Sequence, residues 1–343
     1  MLDEIRQQPE ALARTLAGDL KRIEKFRALM ARRRPRMVVL AARGTSDNAA
    51  QFGRYLIEIS TGIPVSLAAP SVHTLYNARV NFKEALVIGI SQSGESTDVN
   101  VVLEHARKGG AVTVGITNEP KSALTALAEH VFLVRAGREK SVAATKTYTG
   151  QLMVLYLLAY ALGAKIRLED LQTIPDLAAT ALTLENEVTA LAERYRFMHH
   201  AVVMGRGLNY SNVFEFALKL METSYVVAER FSSADFLHGP IAMVEPNFPV
   251  FLFAPSGATW PSMQELLVRL RDLKAETVVI TDRKNAAAAA LAPRVISLPG
   301  RINEMLTPIP YIIPAQIFSA ALAREKNIDP DRPRTLSKVT KNL

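Results

Sequence analysis

The stretch EALVIGISQSGESTDVNVVLEHARKG (residues 84–109) joins an apolar run to a loop rich in hydroxyl groups and then to an amphipathic segment. The apolar run, residues 84–90, does not alternate with polar residues, which is typical of a strand in a parallel sheet covered on both faces. Residues 98–109 have the hydrophobic spacing of a helix with one buried face. The stretch therefore predicts a strand–loop–helix unit of an α/β fold.

Similar apolar runs occur along most of the chain, with amphipathic segments such as residues 47–60 between them. In the first half, four more runs are predicted strands: residues 36–42, 63–69, 111–117 and 130–136. A second series of four predicted strands follows: residues 201–207, 248–255, 276–282 and 294–300. This alternation predicts a doubly wound α/β protein with parallel sheets.

The two halves of the chain also share a short repeat. ARG at 42–44 precedes the helix candidate NAAQFGRYLIE (48–58), and GRG at 205–207 precedes NVFEFALKLME (212–222). Each copy is a strand, an Arg-Gly turn and a helix that ends in glutamate. We therefore predict an internal duplication, with two domains of one plan.

Two helices are predicted between the two series of strands. One is a buried helix at residues 149–163, and the other is a single long connecting helix at 177–197. The expected layout has four segments: an N-terminal helical segment (1–34), a first domain (35–170), a second domain (171–326) and a C-terminal tail (327–343).

The charge of the chain points to an anionic ligand. The 343 residues carry a formal net charge of +8, which would suit nucleic acid, an acidic membrane face or a phosphorylated small molecule. The densest basic run, ARRRPR (31–36), has no aromatic residues among its arginines, so it predicts a solvent-exposed helix end and not a nucleic-acid stacking platform. No apolar run reaches the roughly 18 residues of a membrane span. We expect no nucleic-acid and no membrane partner.

The chain has no cysteine, which excludes disulfides, thiolate metal sites and a thiol nucleophile. The six histidines have no metal-ligand spacing, so neither a metal nor another cofactor is expected. The N-terminal residues are amphipathic and begin with acidic groups, unlike a secretory signal peptide. We expect a cytoplasmic protein.

The loop that follows the apolar run at 84–90 carries more hydroxyl groups than a helix cap needs. In open α/β sheets, ligands bind beyond the carboxyl ends of the strands, and a helix N-terminus there offers free N–H groups to an anion. One hydroxyl would be enough to cap the helix. The loop has four residues with hydroxyl groups: Ser91, Ser93, Ser96 and Thr97. The loop therefore predicts a site for a phosphate monoester, and the turns at 44–48 and 141–149 are candidates to meet the same ligand.

Six motifs together resemble the isomerase half of glucosamine-6-phosphate synthase, which consists of two sugar-isomerase (SIS) domains. The resemblance implies that each domain is a parallel five-stranded sheet flanked by helices. The resemblance runs from about residue 10 to the C-terminus. The motifs are ARGTSDN (42–48), ISQSGES (90–96), SVAATKTYTGQL (141–152), ALKLMETSY (217–225), FLHGPIA (236–242) and RPRTLSK (332–338). The last three are the most specific, because they match the catalytic parts of the synthase.

The resemblance implies a role for each matching residue. Five residues would hold the sugar phosphate: Ser46, Ser91, Gln92, Ser93 and Ser96. Glu222 would be the base that moves a proton between C1 and C2, and Lys338 would form a Schiff base with the ketose carbonyl. His238 would assist ring opening from the neighbouring subunit, which implies a homodimer with the active site at the subunit interface.

Four further positions follow from the same resemblance. Lys219 and Glu215 match supporting positions on the Glu222 helix, and Val142 matches a backbone position that contacts the ligand. Ala144 departs from the pattern, because the synthase has a serine there. The substrate preference is therefore open between hexosamine phosphates.

Without the resemblance, some of these residues would be interpreted differently. Glu215, Lys219 and Glu222 share one helix face through their i, i+4, i+7 spacing, and alone they favour a solvated row of salt bridges. Lys338 alone would be a solvent-exposed lysine in a polar tail. His238 precedes Gly-Pro in a tight turn, and histidine suits proton delivery at neutral pH.

The reaction expected is the deamination of glucosamine 6-phosphate to fructose 6-phosphate and ammonia. The synthase hydrolyses glutamine in a further domain with a cysteine nucleophile, whereas here about 35 residues precede the first SIS domain and cysteine is absent. The alternatives are synthesis from free or partner-supplied ammonia, a related phosphosugar isomerase or galactosamine-6-phosphate deaminase, and a non-catalytic phosphosugar sensor.

Overall fold

A computed structural model describes residues 1–336 of the chain. These residues form two compact units, each with its own five-stranded parallel sheet. The first unit comprises Gln7–Lys140 and Ala144–Pro175, and the second comprises Met1–Arg6, Ser141–Ala143 and Asp176–Leu336. The predicted α/β class with two five-stranded parallel sheets is confirmed, while the predicted domain boundaries stay predictions.

All nine strands predicted from the sequence are present, and a tenth was not predicted. The strands of the described residues are, in chain order, β1 (Met37–Ala41), β2 (Val65–Leu67), β3 (Ala85–Ile90), β4 (Val112–Thr117), β5 (His130–Leu133), β6 (His200–Gly205), β7 (Val227–Ser232), β8 (Pro249–Phe253), β9 (Glu276–Asp282) and β10 (Arg294–Leu298). Both β3 and β8 are buried at every residue, as expected for central strands of covered parallel sheets.

The two sheets have the same strand order. The first is β2-β1-β3-β4-β5 and the second is β7-β6-β8-β9-β10, so the first strand of each unit lies between its second and third. In the first sheet, Val38 of β1 lies opposite Val65 of β2 on one side and opposite Leu86 of β3 on the other, and both pairings are parallel. The common order supports the predicted duplication.

Helices flank both sheets. In the described residues they are α1 (Leu2–Arg6), α2 (Gln8–Arg33), α3 (Thr45–Thr61), α4 (Ser71–Thr74), α5 (Thr97–Lys108), α6 (Ala123–Leu127), α7 (Lys146–Ala161), α8 (Leu168–Gln172), α9 (Ile174–Leu182), α10 (Glu185–Glu193), α11 (Tyr210–Ser224), α12 (Ser233–Leu237), α13 (Trp260–Asp272), α14 (Ala286–Leu291) and α15 (Pro308–Glu325). Short 3₁₀ turns cover Gly207–Asn209, Pro240–Met243 and Glu304–Leu306. As predicted, α7 is buried along almost its whole length, and the basic run at 31–36 contains the exposed end of α2.

The prediction of one long helix at 177–197 is wrong. The chain forms α9 and α10 there, separated at Thr183 and Leu184. The Thr183 hydroxyl donates a hydrogen bond to the Thr180 carbonyl at 2.7 Å. Such side-chain bonds compete with the helical backbone pattern, so the apolar periodicity continues across a break that it does not reveal.

Two elements of the second unit lack the apolar pattern that would predict them. Strand β7 lies at the sheet edge and buries only Ala228, so it has no apolar run. Helix α15 contains Pro308, Pro310 and Pro314, which together argue against a helix. Pro308 and Pro310 lie in its first turn, where backbone N–H groups have no helical partner, and α15 packs against α10 and α11.

Candidate functional site

The first unit has a crevice of the type that binds ligands in open α/β sheets. Strands β1 and β3 are neighbours, and the chain leaves them toward opposite edges of the sheet, to β2 and to β4. Ligands bind beyond the carboxyl ends of the strands at such a reversal of strand order. Ser46 follows β1 and the loop 91–96 follows β3, so both belong to this edge of the sheet.

The backbone of the loop 91–96 is fixed by hydrogen bonds to its neighbours. The Ser91 N–H donates to the Ile116 carbonyl at 3.0 Å, and the Gly94 N–H donates to the Ser91 hydroxyl oxygen at 3.1 Å. Gly94 has a φ of +68°, and a Cβ there would lie 2.1 Å from the Ser122 hydroxyl oxygen. Gly94 is therefore required both for the left-handed turn and for close packing.

The hydroxyl groups of this loop are not used for helix capping. Helix α5 begins at Thr97, and its N-cap residue Ser96 makes no side-chain capping hydrogen bond. Gln92, Ser93 and Ser96 are half-buried, whereas Ser91 is buried. The loop thus combines a fixed backbone at a helix N-terminus with accessible polar side chains, which is suitable for binding a phosphate group.

Ser46 lies in the first turn of α3 and is buried. Its hydroxyl oxygen accepts a hydrogen bond from the Gln151 side-chain amide at 2.9 Å. Since the oxygen is engaged as an acceptor, the Ser46 O–H remains a donor for another group. The sequence analysis did not identify Gln151, although an amide side chain within the apolar helix α7 indicates a buried polar contact.

In the second unit, α11 carries a buried row of charged residues. The side chains of Glu215 and Lys219 are 0% and 1% exposed, and that of Glu222 is 23% exposed. The Lys219 ammonium lies 2.5 Å from Glu222 Oε2 and 3.5 Å from Glu215 Oε1. The row is therefore not the solvated one that spacing alone favours, because α15 and the sheet cover α11.

This arrangement leaves Glu222 as the accessible end of the row. Lys219 pairs with both carboxylates, and it holds one of the Glu222 oxygens in place. A carboxylate that is fixed and still partly exposed can exchange protons with a bound molecule. Glu215 is fully enclosed, so its carboxylate has no access to a bound molecule, and it lies beside the Lys219 ammonium.

His238 is exposed and caps the C-terminal end of α12. Helix α12 begins after Ser232, whose hydroxyl oxygen accepts a hydrogen bond from the Asp235 N–H at 3.2 Å. The backbone N–H of His238 in turn donates to the Asp235 carbonyl at 3.2 Å. The turn thus holds the imidazole at the surface of the second unit.

Val142 is half-buried in the second unit, and its N–H donates to the Asp331 carbonyl at 3.4 Å. Ala144 belongs to the first unit. Lys338 lies outside the described residues.

The loop of the second unit that corresponds to the serine loop holds one of the chain's own carboxylates. When the two Ser-Gly pairs are aligned, Ala254 and Pro255 replace Ser91 and Gln92. Glu304 accepts hydrogen bonds from the Ala258 and Thr259 N–H groups and from the Thr259 hydroxyl, and Glu304 Oε2 would lie 2.0 Å from a Cβ on Gly257. Of the two loops, only the one in the first unit is thus open to an external anion.

Among residues 1–336, no group of three or more histidine, aspartate and glutamate side chains is placed to hold a metal ion. In the same residues, no helix combines the length and apolar content needed to cross a membrane.

Comparison with known proteins identifies the fold family. The sequence profile of the SIS domain matches residues 32–161 and 196–325. The glutamine–fructose-6-phosphate aminotransferases (isomerizing) of Pyrococcus horikoshii and Aquifex aeolicus are each 34% identical over 98% and 99% of this chain, which spans 57% of their length. The structure of the C-terminal domain of glucosamine-fructose-6-phosphate aminotransferase from Francisella tularensis superposes with a TM-score of 0.87, at 28% identity over 97% of this chain and 98% of that one.

The profile matches each sheet with its flanking helices, and the aminotransferases align over nearly all of the chain. The chain therefore belongs to the SIS-domain family, as a tandem of two such domains homologous to the isomerase half of glucosamine-fructose-6-phosphate aminotransferase.

Proposed function

We propose that the protein is an aldose–ketose isomerase of the deaminating type, which converts glucosamine 6-phosphate and water to fructose 6-phosphate and ammonia. The observation that carries the proposal is the buried row on α11, in which Glu222 alone has an accessible carboxylate. A row that only stabilised the helix would gain nothing from burial, because burying charges costs free energy that their attraction often fails to offset.

In this proposal the first unit binds the phosphate group. Five residues would hold it: Ser46, Ser91, Gln92, Ser93 and Ser96. The fixed loop backbone, the N-terminus of α5 and the free O–H of Ser46 support this role. Val142 would contact the sugar through its carbonyl.

In the second unit, the proposed acid–base groups carry out the reaction. His238 assists opening of the pyranose ring to the free aldehyde. Glu222 takes the proton from C2 and returns it to C1, while a second proton passes from the amino group to O1, and the 2-amino aldose becomes the C2 imine of the ketose. Lys338 or water attacks the imine carbon, ammonia leaves, and hydrolysis gives fructose 6-phosphate, so that one water enters for each ammonia released. Lys219 and Glu215 act by holding Glu222.

The choice of deamination rests on composition. The 343 residues contain no cysteine, so they hold no thiolate with which to release ammonia from glutamine. The second candidate is the synthetic direction with ammonia from solution or from a partner, which the names of the 34% identical relatives favour. Galactosamine 6-phosphate is an alternative substrate because Ala144 lacks the hydroxyl of the family pattern. A cytoplasmic location suits a chain without disulfides.

We further propose a homodimer, in which His238 serves the site of the neighbouring subunit. The exposure of His238 in its turn supports this assignment. A symmetric dimer would then contain two equivalent sites, each with residues of both chains.

A coupled assay for ammonia and fructose 6-phosphate tests the function directly. We expect turnover with glucosamine 6-phosphate, and the same assay on galactosamine and N-acetylglucosamine 6-phosphates defines the substrate. A non-catalytic sensor would bind one of these sugars with no release of ammonia and no exchange of the C2 proton. That result would reject the proposal.

A further inference from the structure

The residue that ends the α11 helix has an unexpected backbone conformation. Tyr225 follows Ser224 with φ 53° and ψ 32°, in the left-handed region. Glycine is the usual residue at this position of a helix terminus, and a side chain with a Cβ is strained there. Its N–H donates to the Leu220 carbonyl, so the turn is a regular helix end occupied by an unfavourable residue.

The Tyr225 side chain makes two contacts with the segment that leads to the C-terminus. Its hydroxyl oxygen accepts a hydrogen bond from the Arg334 N–H at 2.9 Å. The Arg334 guanidinium carbon lies 4.2 Å from the centroid of the Tyr225 ring, in a cation–π arrangement. One side chain thus holds both the backbone and the side chain of Arg334.

A second point of attachment lies a few residues upstream. The Asp331 carbonyl accepts the hydrogen bond from the Val142 N–H at 3.4 Å, and Pro330 and Pro333 are buried. Proline restricts the backbone, so two prolines lower the entropy cost of ordering this short segment. The tail is attached on either side of Pro333, at Val142 and at Tyr225.

The position of this attachment relates it to the proposed chemistry. Tyr225, which follows the last residue of α11, comes three residues after Glu222, and Arg334 comes four residues before Lys338. We propose that Tyr225 is a positioning residue that fixes the tail to the end of α11, and that it acts on the reaction through Lys338. The helix tolerates a strained residue at its end because glycine could make neither contact. This inference rests on the proposed function.

The test uses the full chain and replaces Tyr225→Gly, with Tyr225→Phe as the partial change. Glycine relieves the strained turn and removes both contacts, whereas phenylalanine removes only the acceptor of the hydrogen bond. Lys274→Gly is the matched control, since Lys274 also has a left-handed backbone (φ 58°) after a helix of the second unit and has no proposed role in the site.

Three readouts separate positioning from stability. In Tyr225→Gly we expect a melting temperature no lower than that of the native protein, a kcat at least about tenfold lower, and a KM within about threefold. The decrease in kcat follows because loss of the two contacts shifts the equilibrium between attached and detached tail by about tenfold or more. Borohydride trapping of fructose 6-phosphate on Lys338 should fall by a similar factor. Tyr225→Phe should lie in between, and Lys274→Gly should match the native protein.

Hydrogen exchange at residues 332–336 tests the attachment independently of the reaction. We expect faster exchange in Tyr225→Gly and native exchange in Lys274→Gly. Unchanged exchange would overturn the attachment, and faster exchange with a native kcat and native trapping would overturn the positioning role. If native protein turned over none of the sugar phosphates, the proposed function would fail, while exchange and trapping would still decide this inference.

Discussion

Lys219 is the residue on which the charge balance of α11 depends. It is 1% exposed and lies between two carboxylates, one of them fully buried. Removing one partner from a buried ion network leaves an uncompensated charge in a medium that solvates it poorly. The residue that supports the proposed base is therefore also a structural requirement of the second unit.

Lys219→Met should lower the free energy of unfolding by about 3–5 kcal/mol, the usual cost of breaking a buried pair. The control is Lys108→Met, which breaks the exposed Lys108–Glu104 pair of α5 and should cost less than about 1 kcal/mol. Urea unfolding of both variants measures the difference. Equal, small losses in the two variants would show that the row is solvated in solution.

The spacing of Glu215, Lys219 and Glu222 was sufficient to predict that they share a helix face, but it did not reveal their burial. Their burial depends on α15, and helix propensities do not predict α15 because it contains three prolines. Gln151 was missed for a related reason, since its role depends on contact with Ser46, 105 positions away. Local patterns identify candidate residues, whereas their environment is set by distant parts of the chain.

Helix α4 is joined to α5 through a pair of histidines. The Nδ1 atoms of His73 and His105 lie 3.2 Å apart, and His73 stacks on Phe82. Burial, and then the nearby charge of His105, lower the pKa of His73 below its usual value. A positive charge so close to His73 opposes protonation of its imidazole.

This pair predicts a dependence of stability on pH. Because the pKa of His73 is lower in the folded protein, its contribution is fully present above the usual pKa of about 6.5 and is lost as the pH falls below that value. The free energy of unfolding should therefore decrease between pH 7 and pH 5.5, and it should decrease less in His73→Gln. Urea unfolding at the two pH values measures this. Burial also lowers the pKa of His130, but that contribution is common to both proteins. An equal decrease in the native protein and the variant would contradict the prediction.

Most elements were predictable because strands of a covered parallel sheet appear in the sequence as uninterrupted apolar runs. The runs that became β3 and β8 are apolar at nearly every position. Strand β7 has no such run, since an edge strand with one buried residue does not need apolar side chains at its other positions. The break between α9 and α10 was hidden because apolar periodicity reports the buried face and not the continuity of a helix.

At the scale of the whole molecule, the two repeats have kept one plan and diverged in their loops and helices. The first unit has an open hydroxyl-rich loop, whereas the corresponding loop of the second unit holds Glu304. The second unit instead carries the charged row on α11. In the proposed function, one copy binds the phosphate group and the other supplies the acid–base groups.

The proposed homodimer can be tested by mixing two impaired variants. If His238 serves the neighbouring subunit, a dimer of one Glu222→Gln chain and one His238→Ala chain has one intact site. Random exchange of equal amounts would then restore up to about a quarter of native activity. Activity that stays at the mean of the two separate variants would mean that His238 serves its own chain.

In the proposed reaction, the Glu222 carboxylate moves a proton between C1 and C2 of a phosphorylated hexosamine. The most direct measurement follows deuterium from C2 of labelled glucosamine 6-phosphate by NMR, in the native protein, in Glu222→Gln and in the control Glu229→Gln, which changes an exposed residue of β7. We predict that the label moves to C1 or to water in the native protein and the control, and that Glu222→Gln slows this transfer by roughly 10²–10⁴-fold while inorganic phosphate still binds with native affinity. Transfer at the native rate in Glu222→Gln would contradict the account.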